Sequence, residues 1–361
     1  MDVKKKILFI VPSLRAGGSE RVILYLVNNL DRRKFNIKLA LVKKEGQFLN
    51  LLNKDIELID LNSKQVRYSI LRIIRLIHRE KPDVVFSTLG YLNLILAIIK
   101  KFFPKIKFIA RESSIPSTQI KNEKYPLLFR FLYRTFYNNF DLIISQSNYM
   151  KEDLVKNFGV RNNKIKIIHN PVDIEKISKL SVSNEILFDK NYINIISVGM
   201  LRPEKGFDSL LKAFKLLKNE YRLYIIGDGK EKDNLVNLAK KLKIIDRVSF
   251  LGFQDNPYKY MAQADLMVLS SRYEGFPNVV LEANALGLPV VAFDCPGGTR
   301  EIIKNGLNGF LVECGNIYKM RNSILMASDY NWNKERIKKY IKQNYSLNKI
   351  INVYEEIFYV L

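Results

Sequence analysis

Short apolar runs alternate with amphipathic segments along the first half of the chain. The runs predict buried strands at residues 7–11, 37–42, 84–87, 107–109, 142–145 and 165–168. Between them, segments such as 69–80 and 149–158 carry apolar residues at helical spacing. Strands that alternate with helices predict an α/β fold, in which helices cover a parallel sheet.

The same pattern starts again in the second half. It predicts strands at residues 194–198, 223–226, 248–251, 266–269 and 290–292, with helices at 207–217, 230–242 and 277–286. Residues 170–191 begin with Asn-Pro and have weak periodicity, which is typical of a connection between domains. We therefore expect two Rossmann-like, doubly wound domains that face a deep cleft and bind ligands at the carboxyl ends of their strands.

This pattern sets the expected domain bounds. Residues 1–170 form the N-terminal domain, 171–191 the linker, and 192–330 the C-terminal domain. Residues 331–361 are rich in Lys, Tyr and Ile at helical spacing. We expect them to form terminal helices that pack back toward the N-terminal domain.

Charge distinguishes the two halves. The chain of 361 residues has a formal net charge of +23, and residues 1–170 hold 32 Lys and Arg against 14 Asp and Glu. Residues 171–361 hold 27 against 22, so the first half carries +18 and the second +5. Such an excess indicates an anionic surface, either acidic lipid or nucleic acid. A lysine-rich, solvated surface without a partner is the alternative.

Cysteine content and apolar runs indicate the compartment. The only two cysteines, Cys295 and Cys314, imply no disulfide framework and fit a reducing compartment. The basic start followed by residues 7–11 imitates a signal peptide, but a glycine loop follows, so a buried strand is the better interpretation. The apolar run 91–99 is far below the ~20 residues that cross a bilayer. We expect a cytoplasmic protein.

Two strand–loop–helix segments suit a phosphate ligand. Gly17 and Gly18 lie between a strand and a helix, where a ligand could approach the backbone N–H groups at the helix start. A simple tight turn explains this pair equally well. The loop 199–206 adds two cations, Arg202 and Lys205, which could compensate the charge of a diphosphate.

Two glutamates form the sharpest motif. Glu274 lies in the loop after the strand 266–269, and Pro277 fits the first turn of the following helix, which contains Glu282. Carboxylates accept hydrogen bonds from vicinal hydroxyls, such as those of ribose and hexose. The alternative is one glutamate that serves the helix dipole and another that is solvated. A further glycine loop, 294–301, follows the next strand.

Taken together, these motifs resemble the retaining glycosyltransferases of family 4, which have the GT-B fold. The resemblance covers nearly the whole chain, is densest over 196–312, and rests on residues 17–21, 199–206, 226–229, 250–253, 274–282, 286–290 and 308–309. It implies an enzyme that transfers a hexose or N-acetylhexosamine from a nucleotide diphosphate sugar. On family grounds the donor is a UDP-sugar, and the pathway is bacterial surface-polysaccharide synthesis.

The resemblance also implies roles for single residues. Lys205 would stabilise the departing diphosphate, Glu274 would hold the transferred sugar, and Glu282 would bind the ribose. The remaining donor contacts would be Gly17, Gly18, Gly199, Leu251, Gly252, Phe253, Gly275, Phe276, Pro277, Asn278 and Val279. No metal or other cofactor is implied, because cations of the protein can replace Mg²⁺ on the diphosphate.

The chain departs from the family pattern at two places. Many members carry Arg directly after the glycine of the phosphate loop, where this chain has Met200, and we expect Arg202 to supply the missing charge. Many members also carry His after the fourth strand of the first domain, where Arg111 and Glu112 stand here. Glu112 could contact the sugar or the acceptor, or it could be an ion-pair partner for Arg111.

The acceptor hypothesis rests on residues 121–140. Lys121, Lys124, Arg130 and Arg134 are interleaved there with many aromatic and leucine side chains. A basic, aromatic-rich helix suits an anionic membrane interface. A buried helix with a cationic edge would have the same pattern. We expect a protein that docks on the inner face of the plasma membrane and glycosylates a lipid-linked saccharide.

Two other functions fit the sequence less well. A nucleic-acid-binding protein would explain the charge, but we find no recognition element, and the donor motifs would have no role. A nucleotide-sugar epimerase of the same fold would need matched catalytic acids in the first half. The glutamate pair argues for the transferase.

Overall fold

A computed structural model of the protein describes residues 4–15 and 17–361, so Ala16 of the first glycine loop lies outside the described residues. The chain divides into two compact units. Unit 1 consists of Met1–Pro171 together with Leu347–Leu361, and unit 2 consists of Val172–Ser346.

Unit 1 contains a parallel sheet with the order β3-β2-β1-β4-β5-β6-β7. Its strands are β1 (Lys5–Val11), β2 (Phe35–Leu41), β3 (Glu57–Asp60), β4 (Val84–Thr88), β5 (Lys107–Arg111), β6 (Leu142–Ser145) and β7 (Ile165–Ile167). All the strands predicted for the first half are present. The edge strand β3 was not predicted, because its Glu-Leu-Ile-Asp sequence is short and bounded by acids.

Helices cover both faces of this sheet. They are α1 (Gly18–Asn29), α2 (Ile70–Glu80), α3 (Gly90–Ile99), α4 (Pro116–Lys121), α5 (Pro126–Phe136) and α6 (Asn148–Phe158). Side chains of β1 alternate between two cores: Phe9 packs in one with α1, and Leu8 packs in the other with α2 and α3. A strand that is apolar on both faces is typical of a buried parallel sheet.

Unit 2 repeats the architecture with the order β10-β9-β8-β11-β12-β13. Its strands are β8 (Ile193–Val198), β9 (Tyr221–Ile226), β10 (Val248–Gly252), β11 (Leu266–Leu269), β12 (Val290–Asp294) and β13 (Gly309–Glu313). Its helices are α7 (Ile174–Ser181), α8 (Phe207–Lys215), α9 (Lys232–Lys241), α10 (Tyr258–Met261), α11 (Asn278–Ala285), α12 (Thr299–Ile302), α13 (Ile317–Asp329) and α14 (Lys334–Tyr345). The predicted pair of α/β doubly wound domains is confirmed.

Three-residue and longer 3-10 turns connect several of these elements. They comprise Gln47–Leu51, Val66–Ser69, Lys100–Phe102, Tyr137–Asn139, Asn162–Lys164, Pro203–Lys205 and Ile245–Arg247. The turn Pro203–Lys205 carries the predicted site residue Lys205.

The expected domain bounds need two corrections. Residues 171–191 are not a free linker, because helix α7 lies in unit 2 and Ile177 is buried in its core. Within 331–361, only the last helix, α15 (Leu347–Val360), packs with the N-terminal unit, where Phe358 contacts Phe9 and Phe86. Helix α14 stays with unit 2, because Ile341 is buried in the core of that unit.

Throughout residues 4–15 and 17–361, no helix combines the length and apolar character that crossing a bilayer requires.

Candidate functional site

The loop after β8 is held in place at both ends. At its start, Gly199 N–H donates to the Ile226 carbonyl at 2.9 Å. At its end, Gly206 has φ 63°, and a Cβ there would lie 2.0 Å from the Ser270 carbonyl oxygen. Only glycine fits such a close approach with positive φ. The turn Pro203–Lys205 is thereby fixed beside the carboxyl end of β11.

This loop brings Lys205 to Glu274, which lies 69 residues away in the sequence. Lys205 Nζ donates to Glu274 Oε1 at 2.6 Å, and Ser271 Oγ donates to the same oxygen at 2.6 Å. The two charged side chains are 26% and 9% exposed. The predicted cation and the first predicted acid therefore form one partly buried ion pair at the carboxyl end of the sheet.

The ion pair keeps Lys205 charged. Burial opposes the ammonium charge, but the charge of Glu274 and its hydrogen bond outweigh burial, so the pKa of Lys205 is raised. A raised pKa means that the lysine stays protonated throughout the neutral range. Lys205 is therefore a permanent positive charge, available to an anionic ligand.

The loop after β12 supports Glu274 from the other side. Glu274 N–H donates to the Pro296 carbonyl at 3.0 Å, and Gly298 N–H donates to the Gly275 carbonyl at 3.0 Å. Gly297 has φ +126°, and a Cβ there would lie 1.6 Å from the Glu274 carbonyl oxygen. Gly297 and Ser271 are not among the predicted site residues, although the glycine pair 297–298 after a predicted strand indicates a close approach of the backbone there.

Glu282 lies inside helix α11, whose N-cap is Pro277. The Glu282 side chain is 8% exposed, so it is neither a solvated surface acid nor part of the first turn. Gly275 and Phe276 connect Glu274 to this helix, and Asn278 and Val279 form its first turn. The N-terminus of a helix favours negative charge. Both carboxylates are buried, and in the sequence Glu274 precedes the start of α11 whereas Glu282 follows it.

Three loops of unit 2 are joined through their glycines. Gly227 N–H donates to the Gly252 carbonyl at 2.8 Å, and a Cβ on Gly227 would lie 1.9 Å from the Gly199 carbonyl oxygen. Leu251 and Gly252 are half-buried at the end of β10, whereas Phe253 is 58% exposed. The segment predicted to lie near the base is thus linked to the start of the Lys205 loop.

Arg202 does not join the ion pair. Its side chain is 51% exposed, and its ion-pair partner is Glu204 at 3.9 Å. Arg272 instead stabilises the loop, since it pairs with Asp208 at 2.8 Å and its N–H donates to the Glu204 carbonyl. The proposal that Arg202 replaces the arginine missing at Met200 stays a prediction.

Within the described ranges, the structure has no group of three or more His, Cys, Asp or Glu side chains that could hold a metal ion. Metal independence remains a prediction that needs a chelation experiment.

The predicted residues of unit 1 lie at two strand ends. Gly17 is the N-cap of α1 and Gly18 its first residue. A Cβ on Gly17 would lie 2.2 Å from Glu20 Oε2, and burial raises the pKa of Glu20. Gly17 thus lies against the Glu20 side chain, and its assignment to the donor stays a prediction.

Arg111 and Glu112 are both buried, with exposures of 1% and 0%. Arg111 donates to Asn170 Oδ1 at 2.5 Å, and it lies near enough to Tyr354 of α15 for the two to interact electrostatically. Glu112 Oε1 accepts from Asn93 Nδ2 at 3.2 Å. This burial gives neither side chain direct access to an acceptor in this conformation, so their acceptor role stays a prediction.

Burial also changes the protonation of Glu112. It raises the pKa of this carboxyl to about 8, because the charged form is desolvated. Glu112 Oε2 has no hydrogen-bond partner among residues 4–15 and 17–361. Glu112 is thus a largely neutral acid at pH 7 within unit 1.

Both halves of the chain match known families. Residues 16–176 match the model described as Glycosyltransferase Family 4, and residues 179–344 match that described as Glycosyl transferases group 1. The chain is 33% identical over 321 residues to N-acetylgalactosamine-N,N'-diacetylbacillosaminyl-diphospho-undecaprenol 4-alpha-N-acetylgalactosaminyltransferase of Campylobacter jejuni, covering 86% of this chain and 87% of that protein.

Another relative and one solved structure add to this. The chain is 26% identical to UDP-Gal:alpha-D-GlcNAc-diphosphoundecaprenol alpha-1,3-galactosyltransferase of Escherichia coli, covering 93% of this chain and 89% of that protein. The fold of the present chain is similar to that of HepE from Anabaena in complex with UDP. The TM-score is 0.85 at 23% identity, covering 99% of this chain and 100% of that chain.

Proposed function

The chain belongs to the glycosyltransferases of group 1 and family 4, and from this premise we propose that it transfers a hexose or N-acetylhexosamine from a UDP-sugar to a lipid-linked saccharide, with retention of configuration. The observation that carries this proposal is the Lys205–Glu274 ion pair beside the helix that contains Glu282. It combines a permanent cation with two buried acids.

The proposed mechanism is electrostatic. Lys205 and the N-terminus of α11 stabilise the negative charge that develops on the leaving diphosphate, so the proposed mechanism requires no metal ion. Glu282 accepts hydrogen bonds from the ribose, and Glu274 accepts them from the transferred sugar. The acceptor hydroxyl attacks the anomeric carbon from the face that the diphosphate leaves. The bond between the anomeric carbon and the diphosphate breaks as the glycosidic bond forms, and the hydroxyl proton passes to the departing diphosphate. We assign no nucleophile on the protein itself.

The nucleotide can be identified by stability. The HepE complex contains UDP, and the Escherichia coli relative is named for UDP-Gal, which supports uridine as the base. A ligand that binds only the folded state raises its melting temperature. In a thermal-shift panel of UDP-, GDP- and ADP-sugars, we expect UDP-sugars to raise Tm and the others to have no effect. A shift with GDP- or ADP-sugars alone would reassign the donor.

Acceptor dependence tests the reaction itself. Two relatives are named for diphospho-undecaprenol saccharides, which supports a lipid-linked acceptor. With purified protein and a UDP-sugar, we expect release of free UDP only when a polyprenyl-diphosphate saccharide is added. Conversion of the UDP-sugar to its epimer without UDP release would favour the epimerase, and neither change would reject both.

We also propose that the protein works at the cytoplasmic face of the plasma membrane and docks through α5. Tyr133 is the only buried residue of this helix, which argues against the alternative of a buried helix with a cationic edge. Leu127 is 83% exposed and Phe131 is 60% exposed. The four cations of the segment, Lys121, Lys124, Arg130 and Arg134, are exposed too. Exposed apolar and cationic side chains on one helix suit an anionic lipid surface.

Liposome sedimentation tests this docking. We expect binding to vesicles that contain phosphatidylglycerol and little binding to phosphatidylcholine vesicles. The double variant Leu127→Ser and Phe131→Ser should lose binding, whereas the matched variant Tyr318→Ser and Met326→Ser, on exposed positions of α13, should retain it. Equal sedimentation with both vesicle types, or with both variants, would contradict docking through α5.

A further inference from the structure

The two cysteines of the chain follow paired strands. Strands β12 and β13 are parallel neighbours, and their register pairs Phe293 with Val312 and Asp294 with Glu313. The next residue along β12 is Cys295, and the next along β13 is Cys314. The register therefore places the two cysteines opposite each other.

Side-chain alternation directs both thiols to the same face of the sheet. Phe293 and Val312, one pair of positions earlier, share a core cluster with Cys295. Extending the alternation by one residue beyond Asp294 and Glu313 places Cys295 on the side of Phe293 and Cys314 on the side of Val312. Burial raises the pKa of the Cys295 thiol, and the nearby Cys314 contributes to this rise.

This spacing suits a disulfide. Neighbouring strands lie about 4.8 Å apart, and disulfides join Cα atoms that are about 4.4–6.8 Å apart. Both cysteines are free thiols in the structure, Cys295 buried and Cys314 exposed. The Cys314 thiol is therefore accessible to an oxidant in solution, whereas the Cys295 thiol is shielded from it.

Both thiols also adjoin the loop that carries Glu274. Cys314 Sγ lies 4.0 Å from the Arg272 carbonyl oxygen. Cys295 directly precedes Pro296, whose carbonyl accepts the Glu274 N–H at 3.0 Å. Cys295 Sγ also lies 3.7 Å from Thr299 Oγ1 at the start of α12. A bond between the sulfurs would thus draw together two segments that position Glu274.

We propose that Cys295 and Cys314 form a reversible disulfide that inactivates the donor site by displacing the loop of Glu274. This inference rests on the proposed function for its effect on transfer. The formation of the disulfide itself is argued from the register of β12 and β13 and from the exposure of Cys314, and it does not rest on the proposed function.

The oxidant is a small-molecule disulfide such as oxidised glutathione. The exposed Cys314 loses its proton to solvent and attacks a glutathione sulfur, the glutathione S–S bond breaks, and one glutathione leaves as thiolate. Cys295 then loses its proton and attacks the Cys314 sulfur, which releases the second glutathione. The two protein thiols are oxidised, and one glutathione disulfide is reduced to two thiols.

The order of attack follows from burial. Desolvation raises the pKa of the Cys295 thiol to about 12, so this group is protected from direct oxidation. It reacts only within the mixed disulfide, where the step is intramolecular.

The test follows the full-length protein in buffers of reduced and oxidised glutathione. Intact mass should show the loss of two hydrogen atoms, and non-reducing peptide mapping should join the peptides of Cys295 and Cys314. The initial transfer rate should fall at least about tenfold, since small displacements at a site have large effects. Dithiothreitol should restore the rate.

Two variants complete the test. Cys314→Ser should keep the reduced rate and lose the sensitivity to oxidation, whereas Glu313→Ser, which changes the exposed neighbour and keeps both thiols, should remain sensitive. Stable glutathione on Cys314 without a 295–314 link would overturn the pairing. A link that leaves the rate and the UDP-induced thermal shift unchanged would overturn the switch. If reduced protein shows no transfer at all, the proposed function fails, while the mass data still decide the disulfide.

Discussion

Replacing Lys205 by Ala separates the catalytic role of the ion pair from its structural role. The substitution leaves the Glu274 carboxylate, 9% exposed, without its cation at 2.6 Å. Breaking a fully buried ion pair costs about 3–5 kcal/mol. Lys205 is 26% exposed and Ser271 still donates to Glu274, so we expect a loss of about 1–2 kcal/mol. For a unit of this size, Tm should fall by about 2–8 °C.

The effect on turnover should be larger than this loss of stability suggests. Removal of one group that stabilises transition-state charge reduces kcat about 10²–10³-fold. The assay measures UDP release with saturating acceptor at a temperature well below the variant's Tm, so that the protein is folded throughout. We expect kcat to fall by that factor, because the leaving diphosphate loses its permanent cation.

The chain offers a matched control for this substitution. Lys259 pairs with Glu185 at 2.7 Å and is 27% exposed, so it resembles Lys205 in distance and exposure. Lys259→Ala should change kcat less than twofold. The double variant Lys205→Ala and Glu274→Gln should regain stability relative to Lys205→Ala, since no carboxylate remains unpaired, but should not regain activity. A Lys205→Ala enzyme with near-normal kcat would show that Lys205 does not stabilise the leaving diphosphate.

Three further predictions address other parts of the chain. Glu112 has a pKa raised from 4.5 to about 8, so its burial should destabilise unit 1 progressively as the pH rises from about 4.5 to 8. In urea unfolding, Glu112→Gln should remove this fall in the free energy of unfolding, which amounts to a few kcal/mol (~1.4 kcal/mol per unit of pKa). A variant with the same pH profile as the original protein would contradict the burial of this acid. Gly297→Ala should weaken UDP-sugar binding at least about tenfold by calorimetry, because its Cβ would lie 1.6 Å from the Glu274 carbonyl oxygen, whereas Gly159→Ala in unit 1, where a Cβ meets nothing within 4 Å, should leave binding unchanged. Transfer should persist after EDTA treatment and removal of free metal, and a requirement for added Mg²⁺ would show that Lys205 does not suffice.

Hydrophobic pattern was enough to predict most strands of both sheets, but not the edge strand β3. Buried parallel strands such as β11 are apolar throughout, and their predicted bounds agree with the structure within about two residues. Helix α7 was not predicted, because its periodicity is weak and its stability comes from packing of Ile177 in unit 2. The separation of α14 from α15 also depends on tertiary packing, which no local pattern records.

Prediction of the site stopped where contacts between distant residues begin. Lys205, Glu274 and Glu282 could be proposed from local motifs, but the Lys205–Glu274 ion pair joins positions 69 residues apart. Arg111 interacts with Tyr354 of α15, which is distant in the sequence. The pairing of Cys295 and Cys314 depends on the register of β12 against β13, and a shift of one residue would turn the thiols to opposite faces.

The most direct test of the account is a crystal structure with an intact UDP-sugar bound. We predict the diphosphate within hydrogen-bonding distance of Lys205 Nζ and the first turn of α11, with the ribose hydroxyls on the Glu282 carboxylate and the sugar hydroxyls on Glu274. A nucleotide bound elsewhere, with Lys205 paired only to Glu274 and Glu282 turned away from the ligand, would contradict it.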